Sequence, residues 1–283
     1  MMKLKRYLKK LASLALLLVF SYSFTLLSGC NFNFEPTYKY EDISSTITKI
    51  AQEEYKIDVV TNIFEDTLWL YIPLERIFKE KFNPEDPFEE ESLNKIRNVM
   101  TVMSRVVLSA DKKPGFYVMV ISDIKNLGAD YTLIGQVLDI DKSNSGYIHW
   151  SDMDKRYIKS FVFNPQAMGD KEGKHLQFYN VTLKDFMTNQ ILQRIQTKVN
   201  QIDKDSKIYT LKAAFDGNHF LMRYNISIKN QAVQPVDLHQ QILEIIAFVI
   251  RNYEFEDFKY VDITDNYTNT KHIVTKQQLK KIK

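Results

Sequence analysis

From residue 41 to residue 275 the hydrophobic positions repeat one arrangement: a stripe with helical spacing, then two short runs with strand spacing. In "EDISSTITKIAQEEY" the side chains of Ile43, Ile47, Ile50 and Ala51 share one face, because residues three and four apart stack on a 3.6-residue turn. "KIDVVTNIF" and "TLWLYIPL" follow, rich in the β-branched and aromatic residues that suit a pleated surface, with Glu65-Asp66 as the turn between them. The second instance steps through Leu93, Ile96, Met100, Met103, Val107 and Ala110. It starts behind Glu89 to Glu91, anions placed where a helix N-terminus carries positive potential. Pro114-Gly115 ends that helix, and "FYVMVISDI" and "YTLIGQVLD" supply two strands.

The third instance has Thr182 three residues before Asp185, similar to a capping box, and a stripe of Phe186, Met187, Ile191, Ile195, Val199 and Ile202. Its strands "KIYTLKAAF" and "HFLMRYNISI" flank Asp216-Gly217-Asn218, where the Asp-Gly pair favours the positive φ of a tight hairpin. Phe220, Met222, Tyr224, Ile226 and Ile228 alternate with more polar neighbours, so one face of that strand is expected to be buried and the other wet. The fourth helix aligns Leu238, Ile242, Ile245, Ile246, Val249 and Tyr253, before "FKYVDIT" and a weaker strand around His272 to Val274.

This pattern predicts an α+β fold of repeated helix–β-hairpin units forming two two-layer modules, each an antiparallel sheet with both helices on one face. The expected organisation is a leader at residues 1–29, a tether at 30–41, a first module at 42–140, an irregular connector at 141–175, a second module at 176–275 and a basic tail at 276–283. A single sheet of all eight strands is the alternative. Phe32 and Phe34 alternate within the tether and could instead add an edge strand.

The leader changes the picture. "MMKLKRYLKK" carries Lys3, Lys5, Arg6, Lys9 and Lys10, and residues 11–27 carry no charge. A basic head, an apolar run and a small-residue exit are the parts of a secretory signal. The run is shorter than the ~20 helical residues that cross a bilayer core. Leu27-Ser28-Gly29-Cys30 then holds the only cysteine of the chain, and it resembles the lipobox of bacterial lipoprotein precursors. That resemblance covers about the first 31 residues. It implies cleavage by signal peptidase II between Gly29 and Cys30, acyl chains such as palmitate on Cys30 as the first mature residue, and a cell-envelope location facing outward or into the periplasm. Asn31 stands where an aspartate would imply inner-membrane retention in enterobacteria, so the same resemblance favours the outer membrane. Two or three acyl chains, at ~0.8 kcal/mol per buried CH₂, would hold a soluble body at a membrane where one chain holds it marginally.

Charge and composition narrow the partners. The whole chain has a net charge of +3, but the leader takes five of 38 cations and none of the 35 anions, leaving a net −2 beyond residue 29. Without a basic stripe there is no long-range field to draw in nucleic acid. With Cys30 spent on lipid, no thiol remains for an intrachain disulfide, and stability must come from packing 18 Phe, 16 Tyr and the aliphatic residues. The eight glycines are few for a chain of this size, which leaves few backbone sites able to wrap a phosphate closely.

Catalytic chemistry finds little support. His149, His175, His219, His239 and His272 are scattered singly, without the i, i+4 spacing of a local zinc site. No serine sits in a G-x-S-x-G elbow and no glycine-rich phosphate loop occurs. Asp139, Asp141, Ser143 and Asn144 lie at alternate positions like the start of a calcium loop, but no glycine follows at the sixth place and Trp150 stands at the twelfth in place of a bidentate glutamate. No cofactor and no metal is expected. The connector concentrates Tyr147, His149, Trp150, Asp152, Asp154 and Tyr157, a mixture used by carbohydrate sites, by protein contacts and equally by an aromatic plug between modules. The basic tail, Lys271, Lys276, Lys280, Lys281 and Lys283, reads as a headgroup contact or a frayed end. The resulting expectation is a lipid-anchored envelope protein with a non-catalytic binding or scaffolding role toward an envelope protein. The alternatives are a carrier of an apolar ligand and a hydrolase built on Asp152, Asp154 and Glu172.

Overall fold

The computed structural model describes residues 35–79, 88–202, 207–227 and 238–282; the Trp150 side chain, Gly29 and Cys30 lie outside the described residues. Within Tyr38–Lys283, which forms one compact unit, the chain makes helix α1 (Ile43–Tyr55), strands β1 (Val60–Phe64) and β2 (Thr67–Leu74), helix α2 (Glu90–Leu108), and strands β3 (Phe116–Asp123) and β4 (Ala129–Gln136). Short helices α3 (Val137–Asn144) and α4 (Trp150–Met153) lead to strand β5 (Ile158–Phe163). The path then repeats: helix α5 (Leu183–Ile202), strands β6 (Lys207–Asp216) and β7 (His219–Ser227), helix α6 (Leu238–Asn252), strands β8 (Tyr260–Asp265) and β9 (Thr270–Thr275), and a final turn α7 (Lys276–Leu279). The strands lie in two sheets, ordered β1-β2-β3-β4-β5 and β6-β7-β8-β9.

The helix–hairpin reading holds, and so do two sheets, but the sheets are mixed and not antiparallel. Thr67 pairs with Phe116 and Leu74 with Asp123 in parallel, and His219 with Tyr260 in the same way. The reason is length. The 19 residues of α2 rise about 28 Å, close to the span of an eight-residue strand, so the helix returns the chain to the end where β2 began. Each second hairpin therefore enters beside the first as a βαβ crossover, and antiparallel pairing survives only inside the hairpins and at β4–β5.

Two further segments differ from expectation. Val137 to Asp139, read as the end of a strand, begin α3, because Val137 and Ile140 turn inward onto the first core. The connector supplies β5, a fifth strand bonded to β4 with Phe161 opposite Tyr131.

Local chemistry sets the element ends. The Glu89 carboxylate accepts the Ser92 N–H at 2.9 Å and caps α2. Thr182 accepts the Asp185 N–H at 3.2 Å and donates to its carboxylate at 2.7 Å before α5. Gly135 faces Tyr117 across β3–β4, and a Cβ there would overlap the buried phenol ring. The basic tail folds back: Leu279 is buried, and Lys276 and Lys280 both face Glu256, Lys280 at 2.8 Å.

The first sheet is covered on both sides. Leu68, Leu70, Ile72, Tyr117, Met119 and Ile121 pack against α1 and α2, while Trp69, Tyr71, Val118 and Val120 pack on the other face against Val181 and Phe186. The second sheet buries Phe220, Met222, Tyr224, Val261 and Ile263 against α5 and α6. Phe186, at the start of α5, thus serves the first sheet, and Met187, Ile191, Ile195 and Val199 on the same helix serve the second.

Candidate functional site

The described connector residues divide between the surface and the first core. Tyr147 is 84% exposed, and His149 caps α4 by accepting the Ser151 N–H. Asp152 pairs with Lys155 at 3.0 Å and Asp154 with Lys159 at 2.6 Å. Tyr157 points the other way, half-buried on the first core with its ring 6.4 Å from that of Tyr117. Glu172, the third candidate carboxylate, faces Lys174 at 2.8 Å in solvent. Each carboxylate thus meets its own lysine at the surface, and the three share no pocket. Asp139, Asp141, Ser143 and Asn144 fall on α3, where helical geometry separates the oxygens a calcium loop would converge. No group of three or more His, Cys, Asp or Glu arranged to hold a metal occurs among the described residues.

Two buried polar junctions hold the connector in place. Asp139 accepts from Arg156 Nη1 at 2.8 Å and from the Tyr253 hydroxyl at 3.0 Å, and Gln190 Nε2 donates to Tyr253 Oη at 2.9 Å and to the Arg156 carbonyl at 2.7 Å. Residues of α3, the connector, α5 and the chain just past α6 therefore meet at one ion pair. Burial pushes the Asp139 carboxyl up, and the Arg156 charge partly opposes that shift. The second junction centres on His175. Its Nδ1 lies 2.6 Å from Asp170 Oδ2, and its Nε2 lies 3.3 Å from Asp130 Oδ2 without the alignment of a hydrogen bond. Asp130 in turn accepts from Ser122 and from Asn164 Nδ2, the latter at 2.7 Å. Burial raises the Asp170 carboxyl, but bonds from the His175 ring and from the N–H groups of His175, Glu172 and Gly173 outweigh it and hold the group at about 2. A nucleophile is not formed here: the imidazole sits between two carboxylates, and Ser122 donates to Asp130 and not to the ring.

The surface feature that stands out lies along β5. Phe78 and Phe88 stack with ring centroids 5.5 Å apart; Phe161 meets Phe78 edge-on at 5.2 Å, Tyr131 meets Phe88 at 5.1 Å, and Phe163 extends the series from Phe161 at 5.0 Å. With Leu127 these rings line an open groove of about 610 Å³ whose wall is almost wholly carbon. Phe163 is 68% exposed and Val162 57%. Phe161 and Phe163 are exposed, whereas Phe78, Phe88 and Tyr131 are partly buried on the first core; apolar patches of this kind are uncommon on a protein surface. The groove exists because β5 is the edge of its sheet, beyond the cover of α1 and α2, and because Phe161 and Phe163 point to the same side. Gln193 of α5 accepts the Lys159 N–H at 2.8 Å and donates to the Tyr157 carbonyl at 3.0 Å. That capping occupies the first part of the edge and places the Phe161 and Phe163 backbone groups outward by strand alternation.

None of these groove residues was a sequence candidate. The available signal was "IKSFVFN", a run of β-forming residues closed by Asn164-Pro165. The body is α+β, with helices and strands interleaved in two mixed sheets, and the aromatic groove lies on the edge of the first. No family model, no curated protein and no solved structure matches the chain. No described helix is long and apolar enough to cross a membrane.

Proposed function

We propose that this chain is a lipid-anchored protein of a bacterial cell envelope, at the outer membrane, that binds without catalysing and uses the aromatic groove along β5 as its contact surface for an apolar chain. The observation that carries the binding half is the groove itself, about 610 Å³ lined by Phe78, Phe88, Leu127, Tyr131, Phe161 and Phe163. Phenyl rings edge to face give apolar area with little entropy to lose on binding, which suits a flexible hydrocarbon. The anchoring half is supported by Leu27-Ser28-Gly29-Cys30 behind its basic and apolar leader. A second reading, a partner protein adding a strand to β5, is favoured by the outward Phe161 and Phe163 backbone groups.

Two measurements test the proposal. Growth with an alkyne-bearing palmitate should label the wild-type chain, and Cys30→Ser should lose the label; an unlabelled wild type refutes the anchor. The neutral fluorophore N-phenyl-1-naphthylamine should brighten on the wild-type chain and bind at least tenfold more weakly to Phe161→Ser/Phe163→Ser. Equal binding by both refutes the groove.

A further inference from the structure

A second groove, of about 790 Å³, runs between the connector, α5 and α6. Its charges are unbalanced: Lys155, Lys159, Arg194, Lys198 and Arg251 line it against Asp154 and Glu244. Lys155 and Lys159 face Asp152 and Asp154. Arg194 and Lys198 face no carboxylate at ion-pair distance among the described residues. Arg194 donates through Nη2 to the Lys155 carbonyl at 2.8 Å and lies 5.0 Å from the Phe248 ring centroid, while its Nε is buried without a described hydrogen-bond partner. Burial pushes its guanidinium down, as expected for a cation held without a counter-ion.

The two grooves share a lining residue. Lys159 lines both, two residues before Phe161 on β5, with its Nζ 2.6 Å from Asp154. An almost wholly apolar trough and a cationic one are therefore both bounded by Lys159. We propose that together they form one site for an anionic amphiphile, with the hydrocarbon chain on the Phe78, Phe88, Phe161 and Phe163 rings and the phosphate or carboxylate head between Arg194, Lys198 and Lys159. The inference rests on the reading of the aromatic groove as a binding surface, and it adds the head and its sign. Charge complementarity selects the occupant: a neutral lipid leaves Arg194 uncompensated, and a free anion leaves the exposed Phe161 and Phe163 uncovered.

The test uses the full chain carrying Cys30→Ser, so that no acyl group of its own competes, and titration calorimetry with decyl phosphate, decyl maltoside and inorganic phosphate below their micellar concentrations. Decyl phosphate should bind at least tenfold more tightly than decyl maltoside, and inorganic phosphate at least a hundredfold more weakly than decyl phosphate. Phe163→Ser should weaken both decyl probes about tenfold. Lys198→Glu should weaken decyl phosphate about tenfold and leave decyl maltoside unchanged. Both side chains are exposed, and unchanged thermal midpoints confirm that the variants fold. Equal affinities for the two decyl probes overturn the head half while the aromatic groove stands. Phosphate binding as tightly as decyl phosphate overturns the tail half, and no binding of either decyl probe overturns the groove reading as well. Decanoate and dihexanoyl phosphatidate separate the sources: the tighter of the two, above decyl maltoside, identifies a free fatty acid or a glycerolipid.

Discussion

The two sheets follow the same helix–hairpin–helix–hairpin path, and their central strands can be laid over each other by their parallel pairing: Thr67 opens β2 as His219 opens β7. Leu68, Leu70 and Ile72 then match Phe220, Met222 and Tyr224, all buried under helices. On the other face Trp69 and Tyr71 match Leu221 and Arg223, and here the sheets part. Trp69 is 4% exposed, packed edge-on by Phe178 and Tyr179 at 5.3 and 5.0 Å, with its indole N–H donating to the Tyr179 carbonyl at 3.1 Å. Leu221 is only partly covered and Arg223 faces solvent. The same backbone path therefore tolerates a buried aromatic or an exposed arginine, according to what the rest of the chain lays over it. The residue pattern of a strand reports its cover and not its topology.

The largest expected effect breaks that comparison directly. Trp69→Ala should cost about 3–5 kcal/mol, the usual loss for deleting a buried indole, whereas Leu221→Ala at the matching register should cost under about 1 kcal/mol. Urea unfolding of both variants reads the difference. Equal costs would mean that the back of the first sheet is no more a core than the back of the second.

The next effect, about 2 kcal/mol, concerns the clasp that helps the connector cover the first sheet. Asp170 is held at about 2 against an ordinary 3.8, a depressed carboxyl, so its contribution is present above about pH 4 and falls away as pH drops toward 2. Asp170→Asn should flatten that part of the stability profile. A wild-type profile that is already flat between pH 4 and 2 would remove the clasp from the account.

The legible part of the fold was what a single periodicity carries. Stripes such as Ile96, Met103 and Val107, or Ile191, Ile195 and Val199, occur where one helix face meets one sheet, and the structure buries all of them. Strand direction was not legible, because nothing in "TLWLYIPL" or "FYVMVISD" distinguishes a parallel neighbour from an antiparallel one; the length of α2 decides it. β5 was hidden because it has no helix of its own and both its faces carry large apolar residues, so Phe161, Val162 and Phe163 do not alternate. α3 was hidden because Val137-Leu138-Asp139-Ile140 reads equally as strand. The groove was illegible for a different reason: Phe78, Phe88, Leu127 and Phe161 are far apart in sequence, and only the edge position of β5 brings them together.

The smallest effect lies in the turns. Both first hairpins close with two residues, Glu65-Asp66 between the paired Phe64 and Thr67, and Gly217-Asn218 between the paired Asp216 and His219. The first turn residue is left-handed in each, Glu65 at φ 54° and Gly217 at φ 56°. A side chain in that region crowds its own carbonyl, at a cost of about 1–2 kcal/mol, and a glycine avoids the crowding but loses more entropy on folding, about 0.5–1 kcal/mol. The first hairpin tolerates glutamate because its turn is fastened elsewhere: the Tyr40 hydroxyl donates to the Glu65 carbonyl at 2.9 Å, and the Asp66 carbonyl accepts the Gly115 N–H at 2.9 Å. Glu65→Gly should therefore stabilise by no more than about 1 kcal/mol, and Gly217→Ala, with nothing within contact distance of the added methyl, should destabilise by about the same amount through backbone strain alone. Opposite signs in thermal unfolding follow from two turns with one geometry and different residues; equal signs would mean that the two hairpins do not share it.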